Sequence, residues 1–151
     1  MLDIDGVMVP AKGWKSPQLL SDGFPVFSSK ATQVLQAIVS DDTTVMLTTS
    51  HKSRYTIDEW KSIFESRGIK IKNLGVLDNN TDNLSRLEEV TKWLSANKAV
   101  KDLVIIDDDK SLNDLPAALK GRLILTSPLI GLTHAHLPQI ELLFDKKLKA
   151  T

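Results

Sequence analysis

Apolar positions along this 151-residue chain come in short runs whose period switches between helix-like and strand-like. Val34, Leu35 and Ile38 recur at helical spacing and predict a helix from about Lys30. "TTVMLTT" is a β-branched run and predicts a buried strand ending near Thr48. Ile57, Trp60, Ile63 and Phe64 restore the helical period, and Gly68 supplies its stop. "IKIKNLGVL" alternates apolar with basic positions, as a strand near a sheet edge does. Leu84, Leu87, Val90 and Leu94 predict an amphipathic helix with Thr81 or Asp82 as its N-cap. In "DLVIIDDD", residues 103–106 are continuously apolar, the pattern of a parallel strand covered on both faces. A short helix from about Ser111 to about Leu119, a strand in "RLILT" and a helix bearing Leu137, Ile140, Leu143 and Phe144 follow. The stretch from residue 10 to about 29, rich in Pro, Gly, Ser and Lys, predicts a long loop.

Strands alternating with helices predict an α/β fold: a single doubly wound parallel sheet of about five strands. The length suits one packed core, hence a single domain over residues 1–151. Ligands of such sheets bind beyond the carboxyl ends of the strands. Those ends carry Asp3 and Asp5, then Thr48, Thr49 and Ser50, then Asp107, Asp108 and Asp109. Carboxylates converging at one place repel unless a hard cation neutralises them, and an open set of oxygen ligands suits Mg²⁺. Side chains two apart on an extended strand share a face, so the D-x-D of Asp3 and Asp5 directs both the same way.

Composition narrows the alternatives. The chain is 42% hydrophobic and 25% charged, ordinary for a globular protein. Nineteen basic and nineteen acidic side chains leave no net charge to recruit nucleic acid or an anionic membrane, although a local basic patch is allowed. Absence of cysteine excludes disulfides and a thiol nucleophile and suits a reducing, cytoplasmic setting. No apolar run approaches the roughly 20 residues of a membrane span, so no membrane association is expected. The sequons at Asn79 and Asn83, without an export signal, read as chance matches. A calcium loop aligned on Gly6 would put Met1 and Lys12 at ligand positions, and no Walker A or dinucleotide glycine spacing occurs. A phospho-receiver domain should end a middle strand in aspartate, where this chain has "TTS".

"LDIDGV", "VMLTTS" and "VIIDDD" resemble motifs I, II and IV of the haloacid-dehalogenase (HAD) superfamily of phosphotransferases, over essentially the whole chain. The spacing of Arg86, Glu89, Trp93 and Leu94, followed by "IDDD" and "LTSPLIGLT", resembles the small HAD domain of Swiss-army-knife RNA-repair proteins. The resemblance implies an Mg²⁺-dependent phosphohydrolase that cleaves a phosphate monoester through an aspartyl-phosphate. Asp3 would be the nucleophile and Asp5 the general acid and then base. The side chains of Asp3 and Asp107 and the main-chain carbonyl of Asp5 would ligate the metal, with Asp108 joining directly or through water. Thr48 would hold a phosphoryl oxygen, with Thr49 as its fallback and Ser50 and Gly6 beside the substrate. Arg86 would be the motif III cation, with Lys92 and Lys101 as fallbacks. Only Met1 and Leu2 precede Asp3, so the first strand is either weak or begins upstream.

No stretch long enough for a separate cap domain interrupts the motifs, and an open site favours a projecting phosphate such as an RNA or DNA end. The alternatives are a small-molecule nucleotidase or sugar phosphatase, and a catalytically idle HAD-fold module. Lys12, Trp14 and Lys15 could grip a base and a phosphate, but a tryptophan packing its own loop is the plainer reading. His51, Lys52 and Arg54 read as a solvated helix start with phosphate contacts as the sharper option. His134 and His136 read as helix-start residues rather than metal ligands, Trp60 and Trp93 as core. Lys146, Lys147 and Lys149 read as a solubilised helix end.

Overall fold

The computed structural model describes residues 1–11, 17–100 and 102–149, with side chains as far as Phe144. Lys12, Trp14, Lys15, Lys101 and the side chains of Lys146, Lys147 and Lys149 lie outside the described residues. Five helices and four strands alternate among the described residues: α1 (Ser29–Ile38), β1 (Thr44–Leu47), α2 (Ile57–Ser66), β2 (Asn73–Val76), α3 (Arg86–Ala96), β3 (Ile105–Asp107), α4 (Ala117–Lys120), β4 (Leu123–Leu125) and α5 (Leu137–Lys149).

The strands form two parallel pairs, β1 with β2 and β3 with β4. Between the pairs runs the backbone of residues 1–3. Leu2 forms isolated parallel bridges to both Leu47 and Ile106. Leu2 N donates to Met46 O at 2.8 Å, Thr48 N to Leu2 O at 3.0 Å, and Asp3 N to Ile106 O at 3.0 Å. Met1 extends the contact along β3, with Ile106 N donating to Met1 O at 3.0 Å and Met1 N to Val104 O at 2.8 Å. The position of this segment brings the ends of β1 and β3 to either side of Asp3.

Side chains of adjacent strand residues point to opposite faces, and the core divides accordingly. Ile106 joins the larger apolar cluster with Leu2, Ile4, Leu47, Val34, Trp60, Phe64 and Ile140. Ile105 joins the smaller one with Val90, Leu112, Leu115 and Leu123. Helices α1, α2 and α5 thus cover one face, and α3 and α4 the other.

Most helix boundaries follow local chemistry. Ser28 caps α1 by accepting from Ala31 N, and Thr56 with Glu59 forms a reciprocal capping box on α2. Three boundaries differ from the pattern in the sequence. Helix α3 is capped by Ser85 with Glu88, not by Thr81 or Asp82. The side chain of Asn80 brackets the backbone of Leu84 with two 2.7 Å hydrogen bonds, and Asn83 turns at φ 52°, so the helix cannot start earlier. Strand β2 takes only "NLGV" of the alternating run; Ile69 and Ile71 are buried, yet pairing begins at Asn73. Pro116 divides the predicted helix after Ser111 into a 3₁₀ turn over Lys110–Asp114 and the short α4. Trp60 is fully buried, whereas Trp93 is only half-buried, because Val90 carries the inward stripe of α3.

Candidate active site

Three carboxylates meet where the backbone of residues 1–3 and β3 end. Asp3, Asp107 and Asp108 each present an oxygen within 4.8 Å of the others. Asp3 and Asp107 are buried, and Asp108 is partly open. Arg86, the first residue of α3, reaches into the cluster from the helix start. Its Nη1 lies 2.5 Å from Asp107 Oδ2, 3.3 Å from Thr48 Oγ1 and 3.4 Å from Asp3 Oδ1. Thr48 Oγ1 lies 3.4 Å from Asp107 Oδ2, so the hydroxyl after β1 closes the group.

The electrostatics are uneven. Three carboxylates against one guanidinium leave a net negative cluster. Burial, then the charge of Asp107, pushes the Asp3 carboxyl up to about 8, and Arg86 only partly offsets this. Asp108 is also raised, chiefly by burial, with the charge of Asp107 adding to the effect. A cation bound among these carboxylates would relieve the repulsion that burial and proximity impose. Burial works against the charge of Arg86, but Asp107 and Asp3 outweigh it and hold its pKa above the usual value. The donor set, all hard oxygen and partly open at Asp108, fits Mg²⁺.

Gly6 makes room for this arrangement. It sits at φ +80°, and a Cβ there would collide with Asp108 Oδ2. Its carbonyl accepts from buried Thr126 Oγ1 at 2.7 Å, while the turn after Asp5 folds Val7, Met8 and Val9 amides onto Ile4 O. Asp109, by contrast, is a capping residue: its Oδ1 accepts from Ser111 N at 2.9 Å.

Asp5 stands apart from the three clustered carboxylates. Its side chain is 59% exposed and accepts a 2.7 Å hydrogen bond at Oδ2 from His51 Nε2. Thr49 is buried, and its hydroxyl accepts from His51 N at 3.2 Å; Ser50 is exposed. Lys92 is exposed on α3, and among the described cations Arg86 is the one that touches Asp3 and Asp107.

Two pairings beside the cluster were not legible in the sequence, although Lys52 and His51 both follow the second motif. Lys52 is not a solvated helix residue: it is 4% exposed, and its Nζ lies 2.8 Å from Glu89 Oε2. The other Glu89 oxygen lies 3.7 Å from Arg86 Nε, a buried nitrogen with no hydrogen-bond partner. One carboxylate thus stands between two buried cations. The available signal was the i,i+3 spacing of Arg86 and Glu89 on one helix face. The pairing of His51 with Asp5, 46 residues away, had no comparable signal. His134 and His136 lie in a 3₁₀ turn where His136 Nδ1 accepts from Thr133 N at 3.0 Å, a capping role.

An α/β core with an acidic cluster, a hydroxyl and an arginine at its strand ends defines the class of protein. Residues 1–137 match the family model of the HAD domain in Swiss Army Knife RNA repair proteins, and the chain belongs to that family. No curated protein and no solved structure matches the chain.

Proposed function

We propose that the protein is an Mg²⁺-dependent phosphohydrolase that cleaves a phosphate monoester, with nucleic-acid ends as the preferred substrates. The observation that carries this reading is the meeting of Asp3, Asp107 and Asp108 with Arg86 and Thr48 at the strand ends. In this reading residues 1–3 act as the central strand of one continuous wound sheet, and residues 1–151 form one capless domain in a cytoplasmic setting. Among the described residues, only a 3₁₀ turn, α2 and β2 stand between β1 and α3, which supports an uncapped site. The RNA-repair family and the open site together favour a phosphate projecting from a polynucleotide.

Asp3 attacks phosphorus, forming an Asp3–phosphorus bond as the bond to the leaving oxygen breaks; Asp5 delivers a proton to that oxygen. Asp5 then takes a proton from water, the resulting hydroxide displaces Asp3, and inorganic phosphate leaves. Thr48, Thr49, Ser50 and the Gly6 backbone line the phosphoryl position, and Arg86 neutralises charge there. Asp3, Asp107, Asp108 and the Asp5 carbonyl would hold Mg²⁺, which would screen the anionic substrate from the carboxylates.

The test compares wild type with Asp3→Asn on 4-nitrophenyl phosphate, with Mg²⁺ and with chelator. Hydrolysis by wild type in Mg²⁺ alone, lost in the variant, is expected. An inactive wild type favours an idle binding module, and equal activity in the variant overturns the assignment of Asp3. Oligonucleotides phosphorylated at the 3′ or 5′ end, set against mononucleotides and sugar phosphates, then test the substrate class. Preference for the small molecules would make it a nucleotidase or sugar phosphatase.

A further inference from the structure

His51 lies at the open edge of the site, and its ring is fixed on three sides. Phe24, itself buried, meets it edge to face at 5.8 Å between centroids. Arg54 Nη1 lies 3.4 Å from its Nδ1, and Asp5 Oδ2 lies 2.7 Å from its Nε2. Thr49 Oγ1 holds its backbone amide. An arginine only donates hydrogen bonds, so Nδ1 is the acceptor and the proton of a neutral ring sits on Nε2. Nε2–H therefore donates to Asp5 Oδ2. Asp5 is otherwise 59% exposed, and a half-solvated aspartate without such a partner samples several rotamers.

We infer that His51 is a positioning residue for Asp5: it occupies Oδ2, fixes the carboxyl rotamer, and leaves Oδ1 as the oxygen that carries the mobile proton. This rests on the assignment of Asp5 as general acid and base. Geometry at a proton donor matters most when the leaving group cannot depart as an anion. A nitrophenolate departs unprotonated, whereas a benzyl alkoxide needs the proton from Asp5. The value of kcat/KM reports steps up to the first irreversible one, here expulsion of the leaving group, so later hydrolysis of the aspartyl-phosphate does not obscure the comparison.

The experiment measures kcat/KM for 4-nitrophenyl phosphate and benzyl phosphate in Mg²⁺ for wild type, His51→Ala, His51→Phe and His51→Gln. In His51→Ala the benzyl substrate should lose roughly 10- to 100-fold more than the nitrophenyl substrate. His51→Phe keeps a ring against Phe24 but has no donor, and should match the alanine variant. His51→Gln restores an N–H donor and should recover most of the benzyl activity. Equal losses on both substrates, no loss on either, or wild-type behaviour in His51→Phe would overturn the proposal. If wild type hydrolyses 4-nitrophenyl phosphate and Asp3→Asn does not, the phosphatase reading stands whatever His51 does. An indifferent His51→Ala then overturns only the positioning role, whereas an inert wild type overturns both.

Discussion

Arg67 and Arg86 are both largely buried, yet one has every nitrogen satisfied and the other does not. Arg67, just after α2, donates from Nε to Pro25 O, from Nη1 to Asp22, Ile63 O and Ser66, and from Nη2 to Asp22, Phe24 O and Pro25 O. Its guanidinium also sits 4.8 Å from the Phe27 ring centroid. Arg86 keeps one buried nitrogen without a partner and spreads a single Nη1 over Asp3, Asp107 and Thr48. A saturated guanidinium locks a loop; an unsaturated one beside excess carboxylates is poised for an anion and a cation. The comparison teaches that burial of a cation does not by itself mark it as structural. What distinguishes the two is the balance of donors against acceptors around them.

The largest expected effect separates the arginines by activity. Arg86→Ala should lower kcat by about 10²–10³-fold, in the range of a lost charge-stabilising donor. Its thermal stability should fall in chelator, because the buried Asp107 loses its cation, and recover in Mg²⁺ while activity does not. Scanning calorimetry with and without Mg²⁺ beside phosphatase assays checks both parts. Normal turnover in the variant would break the comparison.

Arg67→Ala should show the reverse. Removing a buried cation that joins the loop at Asp22 to Pro25 with α2 should cost about 3 kcal/mol of unfolding free energy, read by denaturant titration. Mg²⁺ should not restore it, and activity per folded molecule should hold. The next effect concerns room at the cluster. Gly6→Ala, with its φ of +80° and a Cβ aimed at Asp108, should weaken Mg²⁺ binding about 10-fold, as isothermal titration would show.

The remaining effects are in pH, and they have opposite signs in the two regions. The Arg67 guanidinium, chiefly through its hydrogen bonds, holds Asp22 below the usual carboxylate range. That stabilisation is present above the unfolded pKa of 3.8 and is lost as pH falls through the lower folded value. Asp3 is raised, so the folded state binds more protons and its contribution is present at low pH. In chelator it should be lost as pH rises from about 4 towards 8. Denaturant midpoints across pH 2–9 in chelator, with Arg67→Ala and Asp3→Asn as controls, read the two slopes separately. A wild-type profile unchanged by either substitution would remove the electrostatic basis of the contrast.

Much of the architecture could be read from periodicity because burial is a local demand. Val34 and Leu35, or Trp60 and Phe64, must share a helix face to leave water, and their spacing says so. Asp3, Thr48 and Asp107 stood out because they end apolar runs, and the fold does bring them together with Arg86. The divisions among like residues were not visible. Lys52 resembles any surface lysine but is buried against Glu89, and Asp5 shares the D-x-D pattern with Asp3 but is exposed and paired with His51. The start of α3 was misjudged because Asn80 and Asn83 create a turn through their own side chains, which no apolar pattern records.

The sequence by itself determined which strands end in carboxylates, the order of helices and strands, and the residues those helices bury. Such properties follow from neighbours within a few positions. Only the tertiary structure decided that Asp5 stands apart from Asp3, Asp107 and Asp108 and turns to His51. It alone joined Lys52 to Glu89 across 37 residues of chain. Those pairings depend on how the backbone at Leu2 aligns β1 with β3, and on the low dielectric that makes a buried charge find a partner. Register and burial are properties of the assembled core, and no local stretch of the chain contains them.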